Sequence, residues 1–132
     1  MSCAANVASE TVEFAVVKVL FVCSRNRRRS PTAEQVFAAY PHLECRSAGT
    51  EADAESPLTA DDVEWAELVV AMERRHKRFV SERFHQELRG KRLLCLGIPD
   101  HYRFMDPELV RLLEAKLWRL LPEARAAERR QS

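Results

Sequence analysis

The stretch that decides the fold is KVLFVCSRNRRRSPTAEQVF, residues 18–37. The apolar, β-branched run over residues 16–23 predicts a strand that is covered on both faces. Ser30 followed by Pro31 is typical of the N-cap and first turn of a helix. Four arginines stand between these two elements, within Arg25–Arg29. The sequence therefore predicts a strongly basic loop between a buried strand and a helix.

Beyond this stretch the chain alternates strand-like and helix-like segments. Further strands are predicted at 43–49, 66–72 and 92–98, and further helices at 59–65, at 73–88 with Gly90 closing it, and from Asp106 and Pro107 onward. Strands joined by helices of this length require right-handed crossovers and a parallel sheet. The predicted fold class is α/β, with three layers and a four-stranded parallel sheet flanked by helices.

Length and composition favour one soluble domain. The 132 residues suit a single core, predicted over residues 16–122, with a flexible tail at 1–15 and a polar tail at 123–132. The longest apolar stretches are far shorter than the ~20 residues that span a membrane, and the N-terminus lacks signal-peptide features. The four cysteines show no metal-type spacing, which favours reduced thiols and a cytoplasmic location.

Charge is unevenly distributed along the chain. Residues 47–72 contain seven acidic side chains and neither lysine nor arginine, whereas residues 25–29 are strongly basic. Such local fields attract anions even though the net charge is only +1. Nucleic-acid binding is thus possible, but it is not favoured, since the basic residues lack interleaved aromatics and the pI is 7.7.

The basic loop has the composition of a phosphate site. Ligands of parallel sheets bind at the carboxyl ends of strands, and a helix N-terminus attracts anions. The spacing C-x5-R from Cys23 to Arg29 would seat a thiolate among amide hydrogens, with a guanidinium fork over the same concavity. Asn26 can pin the tight loop, and the Ser30 hydroxyl can donate to the sulfur. The predicted phosphate-binding residues are Ser24, Arg25, Asn26, Arg27, Arg28 and Ser30.

At these residues the chain resembles the low-molecular-weight protein tyrosine phosphatases, whose pattern is V-C-x-G-N-x-C-R-S-P-x-A-E. The match covers Val22, Cys23, Asn26, Arg29, Ser30, Pro31, Ala33 and Glu34, and the segments SAGT (47–50) and WAELVVAMERRHKRFV (65–80) are similar to later parts of the family. The resemblance implies a cysteine-dependent phosphomonoester hydrolase of the protein-tyrosine-phosphatase type that forms a phosphocysteine intermediate. It implies phosphorylated substrates, inhibition by phosphate or vanadate, and neither metal nor cofactor.

The family also implies an aspartate that acts as general acid near the C-terminus. The segment IPDHYRFMDPEL (98–109) offers Asp100, two residues before Tyr102, as the better match. Asp106 remains an alternative, although an aspartate before Pro107 is also typical of a helix N-cap. Tyr102 is expected to supply an aromatic wall for the substrate.

Two departures from the family pattern concern the basic loop. Arg25 replaces a glycine at a position that could favour positive φ. Arg28 replaces the second loop cysteine, so a sulfenic acid on Cys23 would lack an adjacent resolving thiol. Arg25, Arg27 and Arg28 either pair with the acidic segment in solvent or favour a substrate with additional negative charge.

Two other functions remain open at the level of sequence. Arsenate reduction on the same scaffold needs further cysteines to relay a disulfide, and the predicted helix 73–88 contains none. A catalytically silent relative that binds phosphate or nucleic acid is the other alternative. His76 is interpreted as part of a solvated basic face, because the cysteine in this design requires no histidine base.

Overall fold

The computed structural model describes residues 16–120, and both predicted tails lie outside these residues. Within these residues four strands and four helices alternate. They are β1 (Val17–Cys23), α1 (Arg29–Ala38), β2 (Leu43–Gly49), α2 (Ala60–Trp65), β3 (Leu68–Ala71), α3 (Arg74–Arg83), β4 (Arg92–Cys95) and α4 (Pro107–Leu120). None of the helices within residues 16–120 has the length and apolar character that crossing a bilayer requires.

The strands form one parallel sheet in the order β2-β1-β3-β4, so the predicted α/β fold with a four-stranded parallel sheet is confirmed. β1 is central, since it pairs with β2 on one side and with β3 on the other. At its carboxyl end Cys23 lies beside Gly49 of β2. The residue that precedes it, Val22, lies beside Ala71 of β3.

Apolar side chains cover both faces of the sheet. Alternate residues of β1 point to opposite sides, as expected for a strand buried on both faces. On one side Phe21 packs with Phe37 of α1 and with Leu109, Leu113 and Leu117 of α4. On the other side Leu20 and Val22 pack with α2 and α3 through Val63 and Val80. The two helical layers hold the carboxyl end of β1 in a fixed position.

Two predicted helix starts are confirmed in detail. The Thr59 hydroxyl accepts from the Asp62 amide at 3.2 Å, and the Asp62 carboxylate accepts from the Thr59 amide at 3.1 Å. This reciprocal capping box begins α2. At the start of α4 the Asp106 carboxylate accepts from the Glu108 amide at 2.9 Å.

Some predicted boundaries are wrong. α1 begins at Arg29, and Ser30 is not its N-cap, because the Ser30 hydroxyl is used near Cys23 instead. β4 ends at Cys95 rather than at residue 98, since Gly97 has φ of +69° and turns the chain. α3 ends at Arg83 rather than at residue 88, because the next residue, Phe84, leaves the helical region with ψ of 35°.

Candidate active site

The loop from Ser24 to Arg28 connects β1 to α1, and one of its amides contacts the Cys23 thiol. The Asn26 amide donates to Cys23 Sγ at 3.3 Å, and Ser30 Oγ lies 2.9 Å from the same sulfur. Cys23 is 3% exposed, yet it lines a surface cavity of about 380 Å³. Cys23 therefore borders a concavity, and its sulfur lies within hydrogen-bond distance of one backbone amide and one hydroxyl group.

Asn26 adopts the left-handed conformation on which this loop depends. Its φ is +58°, whereas Arg25 is not among the described residues with positive φ. Asparagine tolerates this region better than most residues. Arg25, which stands at the family's glycine position, does not have a positive φ, so arginine causes no backbone strain there. Asn26 Nδ2 donates to Ser30 Oγ at 3.0 Å. Because Ser30 Oγ accepts here, its own proton can be donated to Cys23 Sγ at 2.9 Å or to the Ala48 carbonyl at 3.5 Å.

Arg29 is the most buried charged side chain of the site, at 1% exposed. Its Nη1 donates to a Glu73 carboxylate oxygen at 2.6 Å and to the Ile98 carbonyl at 2.8 Å. These two acceptors belong to the segments that follow β3 and β4, the neighbouring strands in the sheet. The guanidinium is therefore held at the cavity by the topology of the sheet.

Glu73 is the carboxylate that balances this charge. It accepts from Arg29 and also from Arg75 Nε at 2.6 Å. Burial alone would raise the pKa of Glu73, but the hydrogen bonds from Arg75 and Arg29 hold that pKa below its ordinary value. Glu73 therefore stays ionised and keeps Arg29 in place.

The two aspartates left open by the sequence have different surroundings. Asp100 lines the same cavity as Cys23, and its carboxylate lies 3.6 Å from Arg29 Nε. Its side chain is 47% exposed, so solvent can reach it. Asp106 does not line the cavity and uses its carboxylate at the start of α4. The structure thus brings Asp100, and not Asp106, to the sulfur and the guanidinium.

A buried histidine supports the loop from behind. His76 Nδ1 accepts from the Glu73 amide at 3.1 Å, which leaves the proton on Nε2, and Nε2 lies 2.8 Å from Ser24 Oγ. Burial, together with the nearby Arg29 and Arg75 charges, lowers the pKa of His76 to about 4. The neutral imidazole therefore donates to Ser24. The prediction that His76 belongs to a solvated face is wrong, because the residue is 1% exposed.

The segment after β2 is hydrogen-bonded along the loop. The amides of Thr50, Glu51 and Glu55 donate at 2.9 to 3.0 Å to the carbonyls of Cys23, Ser24 and Arg25. This close approach requires Gly49, since a Cβ there would lie 2.6 Å from the Ser24 carbonyl oxygen. The acidic segment is therefore packed against the basic loop.

Five arginines line the cavity, namely Arg25, Arg27, Arg28, Arg29 and Arg75, together with the acidic Glu51 and Asp100. From the sequence, Arg25, Arg27 and Arg28 are expected either to pair with the acidic segment or to face a substrate with additional negative charge. Arg25 pairs with Asp53 at 3.8 Å and Arg27 with Glu55 at 3.6 Å, both in solvent. Arg28 makes no such pair with any described residue.

Tyr102 is not among the residues that line the cavity. It is 9% exposed and packs in the core between the sheet and α4. Its ring lies 4.2 Å from that of His101, and its accessible edge borders a different depression beside Glu108 and Arg111. Residues 16–120 contain no group of three or more His, Cys, Asp or Glu side chains that could hold a metal ion.

Sequence reasoning missed two residues of the site, Glu73 and His76. Glu73 comes two residues after the end of β3, and His76 lies in the first turn of α3; β3 is the strand beside β1. Since the carboxyl ends of adjacent parallel strands meet at one edge of the sheet, polar residues at that position are candidates for the site. The sequence alone does not give the strand order, so it could not predict that Glu73 contacts Arg29 and that His76 contacts Ser24.

Comparison with known proteins relates this geometry to a family. Residues 18–64 match the family model described as low molecular weight phosphotyrosine protein phosphatase. The match contains the whole loop, nearly all of β1, all of β2 and the acidic residues from Glu51 to Glu64. The search of curated proteins found no significant match.

Solved structures with the same fold include two phosphatases of known description. The YwlE arginine phosphatase from Geobacillus stearothermophilus is 26% identical, with a TM-score of 0.62, and the match covers 81% of this chain and 94% of that one. The tyrosine phosphatase Wzb from Escherichia coli K30, solved in complex with phosphate, is 25% identical, with a TM-score of 0.64 and coverage of 82% and 98%.

A third structure, a low-molecular-weight phosphotyrosine phosphatase from Vibrio cholerae, is 20% identical with a TM-score of 0.66 over 81% of this chain and 95% of that one, and it supports the fold alone. The resemblance found in the sequence is confirmed. The chain has the fold of the low-molecular-weight phosphotyrosine protein phosphatases, and over residues 18–64 it matches the model of that family.

Proposed function

We propose that the protein is a phosphomonoester hydrolase that acts through a phosphocysteine intermediate. The observation that carries the proposal is the set of groups around one cavity: the Cys23 sulfur between two donors, the anchored Arg29 guanidinium and the solvent-accessible Asp100 carboxyl group. A nucleophilic thiol has to be reduced, which is the ordinary state of cysteine in the cytoplasm, so the proposal includes a cytoplasmic location.

In the first step the Cys23 thiolate attacks phosphorus, the S–P bond forms and the P–O bond to the leaving group breaks. Protonated Asp100 donates its proton to the departing oxygen. Arg29 binds two equatorial oxygens of the phosphoryl group and stabilises the charge that spreads over them in the transition state. The Ser30 hydroxyl and the Asn26 amide stabilise the sulfur anion.

In the second step water attacks the phosphocysteine. Ionised Asp100 accepts a proton from that water, the new P–O bond forms, and the S–P bond breaks to release phosphate and the thiolate. His76 takes no part in proton transfer in this proposal, since its low pKa keeps it neutral and its Nε2 proton is engaged by Ser24. Its role is to hold the loop.

The substrate class is a phosphorylated residue or small phosphomonoester. Two structures of similar fold, at 25% and 26% identity, carry the descriptions tyrosine phosphatase and arginine phosphatase. Phosphotyrosine and phosphoarginine therefore both belong in the substrate panel; with phosphoarginine the bond that breaks is P–N, and Asp100 would protonate the departing nitrogen. Arsenate reduction has less support, because Cys45 and Cys95 lie in β2 and β4 and neither lines the cavity. Burial also raises the pKa of Cys45 to about 12, which makes it a poor relay thiol.

The first test measures turnover of p-nitrophenyl phosphate, phosphotyrosine, phosphoarginine, phosphoserine and a nucleotide by the wild type and by Cys23→Ser. We expect the variant to lose at least about a thousandfold in kcat, since the nucleophile is removed, and to keep its affinity for inorganic phosphate. Cys95→Ser, a matched loss of one thiol outside the cavity, should retain wild-type turnover. Activity that survives in Cys23→Ser would contradict the mechanism.

A catalytically silent anion-binding relative would give a different pattern. It would bind phosphate without hydrolysing any member of the panel, and Asp100→Asn would change nothing. Turnover by the wild type that disappears in Cys23→Ser therefore separates the two functions.

A further inference from the structure

The cavity carries more positive charge than one phosphoryl group requires. Arg29 alone can hold two oxygens of a transferred phosphoryl group. Arg25, Arg27, Arg28 and Arg75 line the same cavity. Like charges crowded at one concave surface destabilise the folded protein unless acidic groups or a ligand neutralise them.

Acidic residues neutralise four of the five arginines. Arg29 and Arg75 share Glu73 at 2.6 Å each, while Arg25 and Arg27 face Asp53 and Glu55 of the acidic segment. The guanidinium of the fifth, Arg28, has no hydrogen bond or ion pair within residues 16–120. Among the five arginines that line the cavity, Arg28 is therefore the one whose guanidinium has no partner among the described residues.

The backbone of Arg28 is nevertheless held in place. Its carbonyl accepts from the Thr32 amide at 3.0 Å and also from the Thr32 hydroxyl. The Thr32 hydroxyl in turn accepts from the Met105 amide at 2.9 Å, in the segment that also contains Asp100. An exposed, unpaired side chain on a fixed backbone position at the rim of a cavity is suited to contact a ligand.

We propose that Arg28 binds a second oxyanion beside the phosphoryl group held over Cys23, and that the preferred substrates are phosphomonoesters with a further phosphate or carboxylate close to the scissile group. The inference rests on the proposed function, because the first phosphoryl group would occupy the cavity floor. The guanidinium fork fits both kinds of oxyanion, since each presents two oxygens to its parallel N–H donors.

The test compares inorganic phosphate with pyrophosphate by isothermal titration calorimetry in the Cys23→Ser protein, which cannot turn over either ligand by the proposed mechanism. We expect pyrophosphate to bind roughly tenfold more tightly, as one added charge-assisted contact provides. Adding Arg28→Gln should remove most of that preference. Adding Arg78→Gln, which deletes the same charge from an exposed position of α3 outside the cavity, should keep it.

Equal affinities for phosphate and pyrophosphate would overturn the inference. The inference would also be overturned if Arg28→Gln lowered the affinities for phosphate and pyrophosphate by the same factor. Arg28 would then act through its general electrostatic field and not through a contact with the second oxyanion. Either result is independent of whether the wild type hydrolyses p-nitrophenyl phosphate. If the wild type does not hydrolyse it, the proposed function is contradicted, but the calorimetric comparison of phosphate with pyrophosphate still stands. The two failures are therefore distinguishable.

A second experiment identifies the source of the oxyanion. Phosphotyrosine peptides that carry glutamate, phosphoserine or glutamine beside the phosphotyrosine are compared by kcat/KM. We expect the anionic neighbours to raise kcat/KM in the wild type and in Arg78→Gln, but not in Arg28→Gln. A gain with phosphoserine alone assigns a second phosphate, and a gain with both assigns any oxyanion. If neither glutamate nor phosphoserine raises kcat/KM, the inference that Arg28 binds a second oxyanion of the substrate is contradicted.

Discussion

Asp100 and Asp106 differ in the contacts that their carboxylates make. Asp100 faces Arg29 across 3.6 Å at the cavity, whereas Asp106 accepts from the Glu108 amide at the start of α4. If Asp100 is the general acid, Asp100→Asn should lower kcat by about 100-fold or more for poorly acidic leaving groups, and much less for p-nitrophenol. Steady-state kinetics with a series of aryl phosphates measures this dependence on leaving-group pKa.

Asp106→Asn is the matched control for that series. Asparagine caps a helix about as well as aspartate, so this variant should fold normally. Its rates should keep the wild-type dependence on the leaving group. A steeper dependence in Asp106→Asn than in Asp100→Asn would reverse the assignment and return the acid role to Asp106.

At the level of single residues, the placement of Cys23, Arg29 and Ser30 around one loop was predictable, because their spacing between a strand and a helix is a local signal; their chemical roles stay a prediction. The use of Ser30 was only half correct, since its hydroxyl contacts sulfur and does not cap α1. Glu73 was missed because the partner of Arg29 is 44 residues away in the chain. Local sequence pattern carries no information on a contact of that range.

Among the elements, the contact between the end of β2 and the loop from Ser24 to Arg28 depends on the absence of a side chain at Gly49. A Cβ at Gly49 would lie 2.6 Å from both the Ser24 carbonyl oxygen and the Ala54 Cβ. Gly49→Ala should therefore push the loop away from β2, at a cost of roughly 1 to 3 kcal/mol in the free energy of unfolding. We expect a weaker affinity for inorganic phosphate as well, measured by calorimetry beside urea unfolding.

Gly90→Ala provides a comparison for that variant. Gly90 has φ of +76° and open space around its Cα, far along the chain from the loop. Alanine there should cost roughly 1 to 2 kcal/mol through backbone strain and leave phosphate affinity unchanged. If Gly49→Ala also leaves phosphate affinity unchanged, the packing of β2 against the loop has no role in anion binding.

Helix starts and strands were the elements that the sequence specified best. The capping box of Thr59 and Asp62 and the Asp106–Pro107 start are local signals, and the apolar runs mark the buried strands. Helix and strand ends were less certain, because Phe84 and Gly97 end their elements through backbone conformations that apolar periodicity does not reveal.

The stability of the whole molecule should depend on pH through His76. The pKa of this buried imidazole is lowered from 6.5 to about 4, so the unfolded chain binds a proton in this range that the folded protein does not. The stability that the neutral imidazole contributes is present above pH 6.5 and is lost as the pH falls toward 4. Urea unfolding at pH 7 and pH 4.5 should show a loss of about 2 to 3 kcal/mol from this group. The lowered pKa of Glu73 adds to the loss in the same direction.

His76→Gln isolates the contribution of the imidazole. A glutamine amide can still donate to Ser24 but does not titrate. The variant should therefore show a smaller difference in unfolding free energy between pH 7 and pH 4.5 than the wild type. An equal difference in both proteins would mean that other groups produce the whole effect.

At the scale of the molecule, alternation of strands and helices predicted a parallel sheet, but the strand order β2-β1-β3-β4 was established only by the structure. That order brings residues that follow β3 and β4 into contact with Ser24 and Arg29, at the two sides of the loop. The exposed Arg28 and the paired Arg25 and Arg27 looked alike in the sequence. Only the fold of the acidic segment distinguishes them.

The two anchors of Arg29 make anion binding depend on residues that do not contact the anion themselves. The Glu73 carboxylate and the Ile98 carbonyl remove the torsional freedom of this side chain when the protein folds, so no ordering is left for the moment of encounter. A mutation at Glu73 would restore that freedom and slow capture of an anion without removing any atom that contacts it. Natural variation at this carboxylate should therefore be as constrained as at the arginine itself.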